Sequence, residues 1–109
     1  MKKTIMLPIL FAASFNCLAA EWVEANLNQI ELAGAGVTEG VYFAKDTPYQ
    51  TSYTCPNSRY ISVKETKMAD RTLSLALYAK STSSKLRIYI TGCDAQGYLN
   101  GVQSMLVSQ

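Results

Sequence analysis

The stretch ADRTLSLALYAKSTSSKLRIYITGC (Ala69–Cys93) contains two hydrophobic periods, one after the other. In its first half, apolar residues recur at three- and four-residue spacing, and alanine and leucine are strong helix formers. In its second half, Leu86, Ile88 and Ile90 alternate with other residues, as they do in a half-buried strand. The run Ser81–Ser84 has low helix propensity and separates the two halves. The stretch therefore predicts a helix that leads directly into a strand.

The predicted helix has a start signal and one apolar face. Asp70 is a good N-cap residue, because a short carboxylate side chain can accept a backbone N–H of the first turn. The predicted face consists of residues at three- and four-residue spacing: Ala69, Leu73, Ala76, Leu77 and Lys80.

Strand patterns precede and follow this stretch. Before it we expect three strands, Trp22–Leu32 with a bulge, Val41–Lys45 and Arg59–Glu65. After it we expect one more, Tyr98–Ser108, in which Gly101 marks a bulge or bend. This order, β-β-β-α-β-β, predicts a mainly β protein with one helix, wired as a five-stranded oligonucleotide/oligosaccharide-binding (OB) barrel. A small α+β sheet with one covering helix fits the same order and is the alternative.

Residues 1–20 have the order of a secretory signal peptide. Met1-Lys2-Lys3 is a short basic start, Thr4–Phe15 is an apolar run, and Asn16–Ala20 supplies small residues. The apolar run is shorter than the roughly 20 residues that span a membrane, and a buried core helix is the alternative. We therefore expect a secreted or periplasmic protein without a transmembrane anchor, with residues 21–109 as its single mature domain.

The formal net charge of +2 belongs to the first residues of the chain. Without Lys2 and Lys3, eight basic residues stand against eight acidic ones. A neutral domain lacks the positive field that nucleic-acid binding needs, so we exclude a nucleic acid as a partner. It also has little electrostatic repulsion between copies, which favours a homo-oligomer.

Two cysteines, Cys55 and Cys93, remain in residues 21–109. In an oxidising compartment they most simply pair with each other, and free thiols or an intermolecular bridge are the alternatives. The loop closed by the bridge would contribute about 4 kcal/mol to stability. The bridge would join the loop before the third strand to the end of the fourth, and would clamp the segment that contains the helix.

Residue types that carry catalysis are scarce. The sequence has no histidine, which excludes a histidine base and His-ligated zinc. Paired cysteines would exclude a thiolate nucleophile. Carboxylates remain, but no spacing selects a pair that would face across a cleft, as a glycosidase needs. We therefore predict no enzyme activity, no catalytic residue, no metal site and no cofactor.

Tyrosine, hydroxyl and amide side chains are the main candidates for a binding role. Tyrosine offers a flat apolar face and a hydrogen-bonding tip, which suit sugar rings and protein partners alike. The alternatives are half-buried strand residues for the tyrosines, and a plain hairpin turn made by Asp94 and Gly97. The candidate ligand-binding residues are Tyr49, Ser52, Tyr53 and Thr54 in one loop, and Asp94, Gln96 and Tyr98 in one turn.

Two features of the chain resemble one family of known proteins. Glu21-Trp22 follows the export segment, and LALYAKSTSSKLRIYI (Leu75–Ile90) runs from a helix through a small-residue turn into an arginine-containing strand. Both features resemble the binding (B) subunits of subtilase cytotoxin and typhoid toxin, of the pertussis-like branch of pentameric AB-type toxins. The resemblance implies a barrel, a ring-shaped homopentamer and glycan binding, and it carries over no individual ligand residue. The spacing of Gly92-Cys93, Gly97-Tyr98 and Val102 is also similar to small exported proteins of Gram-negative bacteria.

We therefore expect an exported, non-catalytic binding module that recognises a glycan or a protein surface. The resemblance implies a delivery subunit that assembles with its own copies and with a catalytic toxin subunit. The alternatives are a monomeric periplasmic inhibitor or immunity-type protein and a structural protein of the cell envelope.

Overall fold

The structure, a computed structural model, describes residues 21–35 and 38–108. The predicted export segment, residues 1–20, lies outside the described residues. The elements in chain order are β1 (Glu21–Glu24), β2 (Ile30–Ala33), β3 (Gly40–Ala44), β4 (Tyr60–Val63), α1 (Thr66–Ser81), β5 (Lys85–Cys93) and β6 (Leu99–Val107). The prediction of a mainly β protein with one helix is confirmed for this part of the chain.

The strands form one sheet in the order β1-β5-β6-β4-β3-β2. Neighbouring strands are antiparallel, except that β4 and β6 run parallel. The sheet is open, with β1 and β2 at its two edges. It therefore differs from the predicted five-stranded OB-like barrel in having six strands and in not being closed.

This difference arises in the first predicted strand, which is split in two. The N–H of Ala25 donates to the Leu86 carbonyl of β5 (2.9 Å), and the N–H of Ala44 in β3 donates to the Gln29 carbonyl (3.1 Å). The chain thus leaves one sheet edge at Ala25 and joins the opposite edge at Gln29. The Nδ2 of Asn26 secures this crossing by donating to the Ala44 carbonyl (2.6 Å). Since four residues span at most about 14 Å, the two edges lie close together and the open sheet is strongly curled.

The N-cap of α1 is Glu65 and not the predicted Asp70. The Glu65 carboxylate accepts the N–H of Met68 (2.7 Å), so it satisfies a donor that the first turn leaves without a helical partner. The helix ends at Ser81, as the serine and threonine run predicted. Ser83 follows with φ 57°, and the N–H of Ser84 donates to the Ala79 carbonyl (2.8 Å), which closes the last turn.

The buried residues of α1 are small, and the partly buried Met68, Leu73 and Leu75 pack against the core beside them. Ala69, Thr72, Ala76 and Ala79 are buried, whereas Leu77, a member of the predicted apolar face, is exposed. Small side chains let the helix lie close to the sheet, and the hydroxyls of Thr72 and Ser104 in β6 meet at 3.0 Å.

The hydrophobic core lies between α1 and one face of the sheet. Alternate residues of each strand point into it, so Leu86, Ile88 and Ile90 are buried as their alternation predicted. The other buried strand residues of this core include Val23, Val41, Phe43, Ile61, Val63 and Leu99. A register shift between β5 and β6 adjoins the pair Ile90–Gly101, which confirms the bulge predicted at Gly101. Within the described residues, no helix has the length and apolar character needed to cross a membrane.

Candidate functional site: a tyrosine cleft

Tyr49, the first predicted ligand-binding residue, belongs to the core instead. Its side chain is buried, its hydroxyl donates to the Phe43 carbonyl (3.1 Å), and the same oxygen accepts the N–H of Asn26 (3.0 Å). Burial raises the pKa of Tyr49 to about 12, although the hydrogen bond from Asn26 acts in the opposite direction. The ring also lies under the Lys45 ammonium, with 4.5 Å between Nζ and the ring centroid. Tyr49 therefore stabilises the crossing between β1 and β2, and its buried side chain does not line the cleft described below.

The other loop candidates lie apart from the turn candidates. The N–H and hydroxyl of Ser52 donate to the two carboxylate oxygens of Glu21 (2.8 and 3.1 Å), which ties the loop to the start of β1. Tyr53 is half-buried and packs against the core, while Thr54 is exposed. This part of the loop is therefore anchored to β1 and the core.

Cys55 and Cys93 form the predicted disulfide, with their Cα atoms 5.6 Å apart. Beside the bridge, the N–H of Asn57 donates to the Gly97 carbonyl (2.9 Å). A side chain at Gly97 would bring its Cβ to 3.2 Å from three atoms of the Pro56 ring, and φ there is 87°, so glycine is favoured. The loop before β4 is thus docked on the turn between β5 and β6.

This docking brings three tyrosines together on the sheet face opposite the core: Tyr42 of β3, Tyr60 of β4 and Tyr98 of the turn. The Tyr98 ring meets Tyr42 edge-on (centroids 5.5 Å apart, planes at 86°) and lies tilted against Tyr60 (5.1 Å, 46°). Both arrangements are favourable for aromatic pairs. Tyr42 is buried and its hydroxyl donates to the Thr38 carbonyl, while Tyr60 and Tyr98 are half-buried. The three rings form a fixed aromatic surface.

These rings line a cleft of about 200 Å³, which we call the tyrosine cleft. Of the predicted ligand-binding residues, only Tyr98 lines it. The cleft presents aromatic faces, phenol hydroxyls and one carboxylate to a ligand. Its lining residues are Glu31, Leu32, Ala33, Thr38, Tyr42, Tyr60 and Tyr98.

Asp94 builds the turn that carries Tyr98. Its Oδ1 accepts the N–H groups of Gln96 and Tyr98 (both 2.9 Å), and its Oδ2 accepts the Ser62 hydroxyl (2.6 Å) and the Lys64 ammonium (3.1 Å). Burial acts to raise the pKa of Asp94, but the hydrogen bonds from these four donors outweigh it and hold the pKa below its ordinary value. The side chain is only 7% exposed and its oxygens are occupied. Asp94 therefore positions Tyr98, and its predicted role as a ligand stays a prediction.

Lys64 links this network to the aromatic cluster. Its Nζ also donates to Oε1 of Gln96 and lies 5.8 Å from the Tyr98 ring centroid. The Gln96 side chain, predicted as a ligand, is therefore engaged within the protein. Burial raises the pKa of Tyr42, and its electrostatic interactions with Tyr98, Asp94 and Glu31 raise it further.

Sequence reasoning missed Tyr42, Tyr60 and Lys64 as members of this site. The signal was present, because Tyr42 and Tyr60 each alternate with core residues and so point away from the core. What was missing was the order of the strands. Without the parallel pairing of β4 and β6, nothing in the sequence joins Tyr60 to Tyr98.

Comparison of the chain with protein-family models, with curated proteins and with solved structures finds no match. Among residues 21–35 and 38–108, no three acidic or cysteine side chains gather in a way that could hold a metal ion. The geometry of the tyrosine cleft is therefore the basis for assigning a function.

Proposed function

We propose that the protein is an exported, non-catalytic binding module that recognises a glycan in the tyrosine cleft. The observation that carries this proposal is the cluster of Tyr42, Tyr60 and Tyr98 at the cleft. A sugar ring presents an apolar face that would stack on the half-buried Tyr60 and Tyr98 rings. Its hydroxyls would bond to the phenol groups and to the Glu31 carboxylate, which also lines the cleft.

The rigidity of the cluster supports binding. Tyr98 is held by the Asp94 network, and the Cys55–Cys93 bridge fixes the turn against the loop before β4. A preorganised site loses little conformational entropy when a ligand binds. The volume of about 200 Å³ is below the roughly 300 Å³ of pockets that enclose drug-sized ligands, so the cleft suits one sugar ring or the end of a glycan chain.

The strand order also supports a binding role for the sheet face that carries the tyrosine cleft. If β1 and β2 are two halves of one strand, the order matches an OB-like barrel opened at its first strand. OB folds bind oligosaccharides on the face of their second and third strands and through the adjoining loops. In this chain that face is β3 and β4, and the adjoining turn carries Tyr98. We propose that the fold is an OB-like barrel whose first strand is divided into β1 and β2.

Export is part of the proposal. The Cys55–Cys93 disulfide suits an oxidising compartment, and the basic and apolar start of the sequence suits secretion or the periplasm of a Gram-negative bacterium. The role would be that of a delivery subunit in an AB-type toxin, which assembles as a homopentamer with a catalytic partner.

An exposed strip on the outer face of β1, β5 and β6 favours such an assembly. The Trp22 and Tyr89 rings pack 5.0 Å apart, and Arg87 pairs across the sheet with Met105. Trp22 is 38% exposed and Met105 is 37% exposed. Aromatic residues, methionine and arginine are enriched in protein interfaces, so this strip would contact a neighbouring copy.

Sedimentation equilibrium of the purified protein tests the assembly. We expect five copies, and we expect the double variant Trp22→Ala, Met105→Ser to dissociate. A strict monomer would refute the delivery subunit and would favour the monomeric inhibitor or immunity-type protein.

A glycan array, followed by titration calorimetry on the best ligand, tests the cleft. We expect Tyr98→Ala and Tyr60→Ala each to weaken binding by at least about tenfold, since truncating a central aromatic contact commonly costs 2 kcal/mol or more. Tyr78→Ala is the matched control, because Tyr78 is an exposed tyrosine of α1 outside the cleft. Absence of any glycan signal, or equal losses in Tyr78→Ala and Tyr98→Ala, would refute the proposal.

A further inference from the structure

A second cleft, which we call the basic cleft, lies where the chain crosses between the two sheet edges. Its volume is about 540 Å³, and it shares no lining residue with the tyrosine cleft. Its polar and charged lining includes Glu24, Asn26, Asn28, Lys45, Lys80 and Lys85. The crossing backbone is bonded to β5 at Ala25 and to β3 at Gln29, so the sheet holds this wall of the cleft in place.

Three lysines from three different elements converge on this cleft. Lys45 follows β3, Lys80 lies in the last turn of α1, and Lys85 begins β5. Glu24 is the one carboxylate in the lining, and its oxygen lies 4.0 Å from the Lys85 ammonium. Both side chains are well exposed, at 55% and 42%, so the pair is weak, and three lysines against one carboxylate leave the lining with a net positive charge. The eight basic and eight acidic residues of the domain balance overall, so the excess of lysines at this cleft is a local concentration of positive charge.

The helix dipole explains why one of these lysines lies at the cleft, but it does not explain the other two. A cation in the last turn of a helix is favoured by the helix dipole, which accounts for Lys80. Lys45 and Lys85 lie outside the helix, and both still line the cleft. The N–H groups of Thr82 and Ser84 bond to the carbonyls of Tyr78 and Ala79, so an anion in the cleft would meet the lysines together with the partial negative charge that the helix end retains.

Hydrogen-bonding groups and a strained residue accompany the charge. Asn28 accepts from the Lys80 ammonium (3.3 Å), which holds the charged end at the cleft wall. Ser83 lines the cleft in the left-handed region, at φ 57°, where glycine would be unstrained. This conformation ends α1, since the N–H of Ser84 closes the last helical turn, and it places the Ser83 side chain at the cleft. The serine hydroxyl and asparagine amide are groups that bond to the hydroxyls of a polyol.

We propose that the basic cleft binds a small polyhydroxylated anion, such as a sugar acid or a sugar phosphate. The carboxylate or phosphate group lies among the ammonium groups of Lys45, Lys80 and Lys85, and the hydroxyls bond to Asn28 and Ser83. Charge-assisted hydrogen bonds of this kind are stronger than neutral ones, and an oxyanion accepts from several ammonium groups at once. The basic cleft is thus a second binding site, separate from the tyrosine cleft in which a glycan would stack.

NMR titration of the ¹⁵N-labelled protein with glucuronate, glucose 6-phosphate and glucose tests this site. At low ionic strength we expect at least one of the two anions to shift the amides of Asn28, Ser83 and Ser84, with a Kd of about 1 mM or tighter. Glucose lacks the oxyanion and serves as the neutral control. Glucuronate and the phosphate ester distinguish a carboxylate ligand from a phosphate ligand, and added salt should weaken either one.

The double variant Lys80→Met, Lys85→Met measures the role of the lysines. We expect it to bind the anion at least about tenfold more weakly, because two charge-assisted contacts are removed. Lys67→Met is the matched control, since Lys67 is an exposed lysine of α1 outside the lining. The urea midpoint of each variant reports whether the fold is kept. No shift of these amides with either anion, or the same affinity in the double variant as in Lys67→Met, would overturn the proposal.

Discussion

Removal of the disulfide is expected to lower the free energy of unfolding by about 4 kcal/mol. Cys55 and Cys93 are separated by 38 positions, and the chain-entropy relation for a loop of this length gives about 4 kcal/mol at 25 °C. A small domain has a total stability of roughly 5–15 kcal/mol, so this loss is a large share of it. The double variant Cys55→Ala, Cys93→Ala is the change to make, because alanine suits the buried position of Cys55.

Equilibrium unfolding in urea, followed by far-UV circular dichroism, measures this loss. We expect a lower midpoint and also a steeper dependence on urea, because an unfolded chain without the cross-link is more expanded and exposes more surface. Wild-type protein under reducing conditions is the control that separates the cross-link from the two substitutions. In the folded state, the Asn57 amide should lose protection against hydrogen exchange, since its bond to the Gly97 carbonyl lies beside the bridge. A loss below about 1 kcal/mol, with an unchanged urea dependence, would refute the reasoning.

Three further substitutions test other parts of the structure. The lowered pKa of Asp94 means that its contribution to stability is present above the ordinary value of 3.8 and is lost as the pH falls through the lower folded-state value. Asp94→Asn should therefore reduce the loss of urea stability between about pH 6 and about pH 2, and an unchanged loss would contradict this. Gly101→Ala should destabilise by about 1–3 kcal/mol in urea, because the new Cβ would lie 2.6 Å from a methyl carbon of the buried Ile88, whereas Gly34→Ala meets open space and should change little. Ser83→Gly should raise the unfolding free energy by about 1 kcal/mol, because glycine adopts φ 57° without strain, and a lower thermal midpoint would contradict this.

Local patterns in the sequence were sufficient wherever one period continued over an element. The alternation of Leu86, Ile88 and Ile90 predicted β5 at Lys85–Cys93, and the structure has the same bounds. The serine and threonine run predicted the end of α1 at Ser81. The disulfide was also predicted from the sequence, because Cys55 and Cys93 are the two cysteines of residues 21–109 and the expected export favours their pairing.

Local patterns failed where a long-range contact decided the outcome. The slip in alternation between Leu27 and Ile30 was interpreted as a bulge, but the chain crosses there from one sheet edge to the other. Hydrogen bonds to Leu86 in β5 and from Ala44 in β3 hold that crossing, and neither partner is near it in sequence. The helix start was misplaced for a smaller reason, because Glu65 reaches the Met68 N–H as an N-cap and Asp70 does not.

The sequence by itself was sufficient to predict the disulfide, the helix and most of the strands. The candidate site was decided by the tertiary structure. Tyr98 was predicted from its turn, but its partners Tyr42 and Tyr60 become neighbours only because β4 pairs with β3 on one side and with β6 on the other. A strand pattern states which side chains share a face, and the pairing of distant strands determines which faces meet. The tyrosine cleft and the basic cleft both depend on such pairings, so neither could be located from the order of residues.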